Sequence, residues 1–106
     1  MSDVLLVLTN VPDEAVARNL TQKLVSSRLA ACVNQLAPCF STYCWEGVLE
    51  SASEVSLLIK TTRAAYPKVE AMICAEHPYQ LPEIMVLPIT LGLPAYLAWV
   101  VQQTKE

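Results

Sequence analysis

The chain's single histidine, His77, stands in "CAEHPYQLPEI" (74–84), after Glu76, before Pro78-Tyr79 and six residues ahead of Glu83. Neutral imidazole and carboxylates are donors for Cu²⁺ or Zn²⁺. Glu76, His77 and Glu83, with the Tyr79 hydroxyl nearby, therefore form a pool able to hold a divalent metal weakly. The same residues also have a plain structural reading. Pro78 disfavours a helical conformation at His77, so a helix should end there, and a protonated ring would complement the helix dipole by about 0.3–1 kcal/mol if exposed. A second constellation lies in the middle of the chain. Tyr43 and Trp45 alternate onto one face of a strand, with Glu46 following. Glu54 and Lys60 bracket "VSLLI" at equal parity, so both lean to one face of another strand. Either both charges sit at strand ends in water, or they are buried, which costs several kcal/mol unless each finds a partner.

Other chemistries find little support. A hydrolytic triad needs an imidazole base beside a nucleophile, and neither Gly-x-Ser-x-Gly nor a Cys–His motif accompanies His77. The two glycines, Gly47 and Gly92, stand in no phosphate-binding motif. The reading is of a protein that is not an enzyme. A net charge of −3 with seven scattered basic residues gives no electrostatic footprint for nucleic acid. The four cysteines, Cys32, Cys39, Cys44 and Cys74, form no Cys-x-x-Cys pair. With no secretory signal in "MSDVLLVLTN", they read as reduced thiols of a cytoplasmic protein, mainly small core residues. Cys39, beside Pro38, is expected to be the most exposed.

Elements must position these residues. "VLLVLTN" (4–10) is an apolar run suited to a strand covered on both faces or at a subunit contact. "VPDEAVARNLTQKLVSSRLAA" changes period: Val16, Leu20 and Leu24 recur every fourth residue, Pro12 suits a first helical turn, and Asp13 and Glu14 complement its dipole. From Ala31 to Thr62 the pattern is strand, break at Pro38, strand, turn at Glu46-Gly47, strand, with "SAS" (51–53) a weak spot for a bulge or bend. "YPKVEAMICAEHP" returns to helix, "EIMVLPI" (83–89) is the last strand, and Pro94 opens a closing helix that buries Leu97 and Val100 or Val101. Trp45, Trp99 and Tyr96 supply large apolar area for core or interface.

The order β-α-β-β-α-β plus a C-terminal helix is the α+β, ferredoxin-like split βαβ arrangement, one domain over 1–106 with a long hairpin between its second and third strands. Apolar residues make up 54% and charged ones 16% of the chain, against roughly 45–50% and about 25% in typical domains. No stretch reaches the roughly 20 apolar residues of a membrane span. The surplus apolar surface and the open hairpin edges call for cover by copies of the same chain.

Five stretches in order, "RLAACVNQ" (28–35), "YCWEGVLE" (43–50), "EVSLLIKT" (54–61), "EHPYQLPEI" (76–84) and "YLAWV" (96–100), resemble the CutA divalent-cation-tolerance proteins over nearly the whole chain. The resemblance implies a cytoplasmic homotrimer whose sheets pack and extend across subunits, with an architecture similar to the PII signalling proteins and small-ligand clefts between subunits. In this chain such an intersubunit cleft would be lined by Tyr43, Trp45, Glu46, Glu54, Lys60 and Tyr79 and would take an anionic or planar ligand. Members with a proposed copper site carry a cysteine at the end of the first strand and two adjacent histidines before Pro-Tyr. The matching positions here are Thr9, Glu76 and His77, a harder donor set that implies weak binding of Cu²⁺ or another divalent metal. The function expected is therefore a trimeric binding or signalling-type protein linked to metal tolerance. The alternative is an interaction trimer that docks another protein and has no dedicated metal site.

Overall fold

The changes of period along the sequence are the element boundaries of the computed structural model, which describes residues 3–105. The elements are β1 (Val4–Val11), α1 (Glu14–Ser26), β2 (Cys32–Gln35), β3 (Cys39–Trp45), β4 (Val48–Thr62), α2 (Tyr66–Glu76), β5 (Ile84–Pro88) and α3 (Pro94–Gln103). All strand pairs are antiparallel, in the order β2-β4-β1-β5, with β3 paired to the far half of β4. This is the expected split βαβ sheet: β4 lies between β1 and β2, which α1 connects.

Alternation builds the core. Val7 and Val11 of β1 and Val55, Leu57 and Ile59 of β4 meet Leu20 and Leu24 of α1 and Val69 and Ile73 of α2, all buried. Full burial of such side chains stabilises by about 1.5–3 kcal/mol each. α3 closes one end of the sheet, where its Val100 packs with Val4 and Ala31. The opposite parity forms a second face: Leu6 lies opposite Lys60 and Leu87, and Leu8 opposite Leu58 and Met85. Met85 and Leu87 remain about half exposed there.

Helix α1 starts one residue past its cap. The Asp13 carboxylate accepts from the Val16 amide at 2.9 Å, so Pro12 precedes the cap instead of occupying the first turn. Its far end closes with the Leu29 amide on the Leu24 carbonyl and the Arg28 amide on the Val25 carbonyl, the paired bonds of a Schellman motif. The left-handed position is Arg28, at φ 61°, where glycine is the usual occupant.

The hairpin arm comes from the length of β4. Fifteen residues at about 3.3 Å each span about 50 Å, close to the 45 Å long axis of the molecule. The radius of gyration is 14.3 Å, above the roughly 13 Å of a compact body of this length. Gln35 pairs with Leu57 and Cys39 with Glu54, so four steps on one strand oppose three on the other. The extra residue lies at 36–38, around Pro38, and β4 runs unbroken through 51–53. The expected weak spot at "SAS" is therefore corrected: the bulge sits on the partner strand, because proline cannot donate to the ladder. Glu46 and Gly47 both have positive φ, 52° and 81°, the two-residue hairpin turn that matches strand twist.

Candidate functional site: a cleft at the root of the arm

The segment 77–83 leaves α2, rounds the end of β1 and enters β5. Four hydrogen bonds and a ring contact hold it. The His77 amide donates to the Ile73 carbonyl at 2.9 Å and ends the helix. The His77 ring is buried; its Nδ1 accepts from the Tyr79 amide at 3.1 Å. An accepting Nδ1 carries no proton, so the neutral ring holds its proton on Nε2, which donates to the Asn10 carbonyl at 2.7 Å. Further along, the Thr9 hydroxyl donates to the Glu83 carbonyl at 2.7 Å. His77 and Tyr79 also pack ring against ring, centroids 4.7 Å apart.

Between this clamped segment and the arm lies a cavity of about 620 Å³, lined among others by Tyr43, Trp45, Glu50, Glu54, Tyr79 and Glu83. That size suits a small molecule. Register explains the arm wall: Tyr43 lies opposite Glu50, and Cys39 opposite Glu54, so alternate residues of both strands share one face. Glu54 is only 7% exposed. Its neighbour is Tyr79, whose phenol is pushed up first by burial, then by the Glu54 charge and the Tyr43 ring, and by a hydrogen bond to Glu54.

The structure therefore brings together Tyr43, Trp45, Glu54 and Tyr79 and leaves two expected residues outside. Glu46 forms the turn at the tip of the arm. Lys60 stands on the sheet, opposite Leu6 and Cys32. Neither Glu54 nor Lys60 is at a strand end in water, because β4 extends from Val48 to Thr62. Within one chain, and without Lys60, the cleft has no basic lining residue. Glu50 and Asn10 are lining residues that sequence reasoning missed. Glu50 had a signal: it shares parity with Glu54.

Thr9, Glu76 and His77 do not fit a copper centre. Thr9 is fully buried with its hydroxyl on a carbonyl, and both His77 ring nitrogens are engaged. Glu76 turns towards α1, where its carboxylate meets Lys23 Nζ at 2.5 Å and Asn19 Nδ2 at 3.1 Å. The Lys23 ammonium holds that carboxyl below the usual range, against a smaller opposing effect of desolvation. Among the described residues no group of three or more His, Cys, Asp or Glu side chains converges as metal ligands. His77 does end α2, as its place before Pro78 implies, but its ring is buried and not exposed at the helix end. Cys39 is only partly exposed, near the Ser56 hydroxyl at 3.7 Å, whereas Cys44 and Cys74 are exposed; the bulge at 36–38 turns Cys39 inward.

Fold and cleft together define an arm-bearing ferredoxin-like protein. The chain belongs to the family described as CutA1 divalent ion tolerance protein, whose model matches residues 5–103. It is 46% identical over 98 residues, 92% of this chain and 95% of the relative, to the divalent-cation tolerance protein CutA of Thermus thermophilus. Among solved structures, CutA from Xylella fastidiosa superposes with TM-score 0.95 at 41% identity, covering 98% of this chain and 100% of that one. A CutA from Archaeoglobus fulgidus, described as a periplasmic divalent cation tolerance protein, superposes with TM-score 0.93 at 30% identity, over 96% and 99% of the two chains. The sequence resemblance is borne out. No helix among the described residues is long and apolar enough to cross a membrane.

Proposed function

We propose that this chain is a homotrimeric, cytoplasmic binding protein of divalent-metal tolerance, without catalytic activity. It acts by holding a small ligand in the cleft at the root of the arm, in the manner of a signalling protein. The observation that carries this reading is the cleft itself: a cavity walled on one side by the aromatic and acidic face of the arm and on the other by a segment pinned to β1 through His77 and Thr9. Divalent metal, copper included, associates weakly and exchangeably, since the side chains that would make a dedicated centre are committed elsewhere. Support for the trimer comes from the half-exposed apolar parity of the sheet and from Phe40, Leu49, Leu81, Leu91 and Leu93 elsewhere on the surface, exposed by 69–89%. Such apolar area on so small a chain is stabilised by cover. The unpaired thiols favour a reducing compartment.

A thermal-shift screen of the assembled protein against divalent metals, nucleotides and small organic ions tests the proposal, because only binding to the native state raises apparent stability. Saturable shifts from a small molecule, lost when Tyr79 is replaced by Ala, are expected. Tight copper binding abolished by His77→Ala would overturn the reading, as would no shift from any compound.

A further inference from the structure

We propose that the cleft selects an organic cation, a substituted ammonium or amidinium group carried on a flat body; this rests on the reading of the cleft as the binding site. Charge is the first argument. Glu50, Glu54 and Glu83 line the cavity, and none of the seven Lys and Arg residues does. Lys23 is held by Glu76. Arg28 caps the end of α3 through bonds to the Gln102 and Lys105 carbonyls. Arg28, Arg63, Lys68 and Lys105 line a separate cavity beside α3. From this chain's own lining, an anion would meet three carboxylates with no cation to offset them, and a cation only attraction.

The walls give the second argument. Tyr43, Trp45 and Tyr79 are each 37% exposed, so their rings are partly free while the remainder is packed. The faces of such rings carry negative quadrupole charge and attract cations, more strongly where water is reduced. Glu54 supplies the third. It is more than nine-tenths buried and lines the cavity, beside Tyr79, whose phenol is pushed up by burial and then by the Glu54 charge. A carboxylate offers roughly four acceptor positions. A buried carboxylate with spare acceptor capacity beside aromatic faces is the chemistry that recognises an N–H-bearing or alkylated cation. A bare metal ion fits less well: the cavity is about 620 Å³, and the described acids do not converge as ligands.

The test uses three compounds of one shape and different charge, benzamidine, benzamide and benzoate, titrated calorimetrically into the assembled protein at low and moderate ionic strength. Benzamidine is expected to bind about tenfold or more tighter than benzamide, with its advantage shrinking as salt is added, and benzoate not at all. Glu54→Gln is expected to bring benzamidine down to the affinity of benzamide while leaving benzamide unchanged. Glu50→Gln, on an exposed strand position whose change leaves the core intact, should do part of the same and serves if the Glu54 variant misfolds. Equal affinity for benzamidine and benzamide, or tighter binding of benzoate, would overturn the charge selectivity and leave the cleft as a binding site. Displacement of benzamidine by equimolar Cu²⁺ would make it a metal site instead. If no compound binds even at millimolar concentration, both the selectivity and the cleft reading fail.

Discussion

His77 acts through the two bonds that its ring makes and not through a free lone pair. His77→Ala removes the acceptor for the Tyr79 amide and the donor for the Asn10 carbonyl. Each backbone group left buried and unsatisfied costs about 1–3 kcal/mol. The variant is therefore expected to lower unfolding free energy by about 2–4 kcal/mol, read by urea denaturation, with little change in copper affinity. Phenol titration offers a second check. The Tyr66 hydroxyl donates to Glu70 Oε2 at 2.5 Å, and this bond, with burial and the Glu70 charge, raises its pKa to about 12. A raised folded value favours the native state below the ordinary tyrosine pKa near 10, and that contribution is lost between about 10 and 12 as the phenol ionises. Tyrosinate absorbance should show Tyr66 ionising late, and Glu70→Gln should advance it. Glu76 works in the opposite direction. Lys23 depresses its folded value, so its contribution is present at neutral pH and lost as acid drives the pH down through that value. Glu76→Gln should make the acid limb of stability less steep.

At the scale of elements, Arg28 joins two helix ends. Its backbone takes the left-handed position that closes α1, while its guanidinium binds the Lys105 and Gln102 carbonyls at 2.6 and 2.9 Å, at the end of α3. A non-glycine residue in that conformation carries roughly 1–2 kcal/mol of strain, which the link to α3 offsets. Arg28→Ala keeps the strain and loses the link, and is expected to destabilise by about 1–2 kcal/mol. Arg28→Gly loses the link but relieves the strain, so it should come out milder. Chemical denaturation of the two variants decides; Ala milder than Gly would show that the strain contributes little, and wild-type stability in Arg28→Ala that the link contributes little. Helix capping by a positive-φ arginine was not legible in the sequence, because the usual marker of that position is glycine.

For the whole molecule, the proposed trimer would be built on the second sheet face. Leu6, Leu8, Leu58, Met85 and Leu87 share one parity across three strands, beside an arm that extends the long axis to 45 Å. Light scattering is expected to give three times the chain mass, with a melting temperature that rises with protein concentration. Leu58→Asp would bury an unpaired carboxylate at the contact, at a cost of several kcal/mol. It should reduce the mass to that of one chain; an unchanged trimer would remove the sheet face from the contact.

Element order, the Pro38 break, the Glu46-Gly47 turn and the pairing of Tyr43 with Trp45 on one face follow from the sequence. Periodicity, proline geometry and turn chemistry are local properties of a few neighbouring residues. The family was legible for a related reason: its five motifs lie in linear order. Tertiary structure decided the rest. Parity could put Glu54 and Lys60 on one side of a strand, but only the arm's departure from the sheet separates one into a cleft and leaves the other between Leu6 and Cys32. Proximity in sequence suggested that Glu76 and His77 act together. Yet α2 ends between them, one side chain crossing to Lys23 on α1 and the other turning under the segment that reaches β5. Ligand sets and cleft charge depend on which distant residues meet, and for this chain that is fixed by the register of β3 on β4 and by the clamp of residues 77–83 on β1.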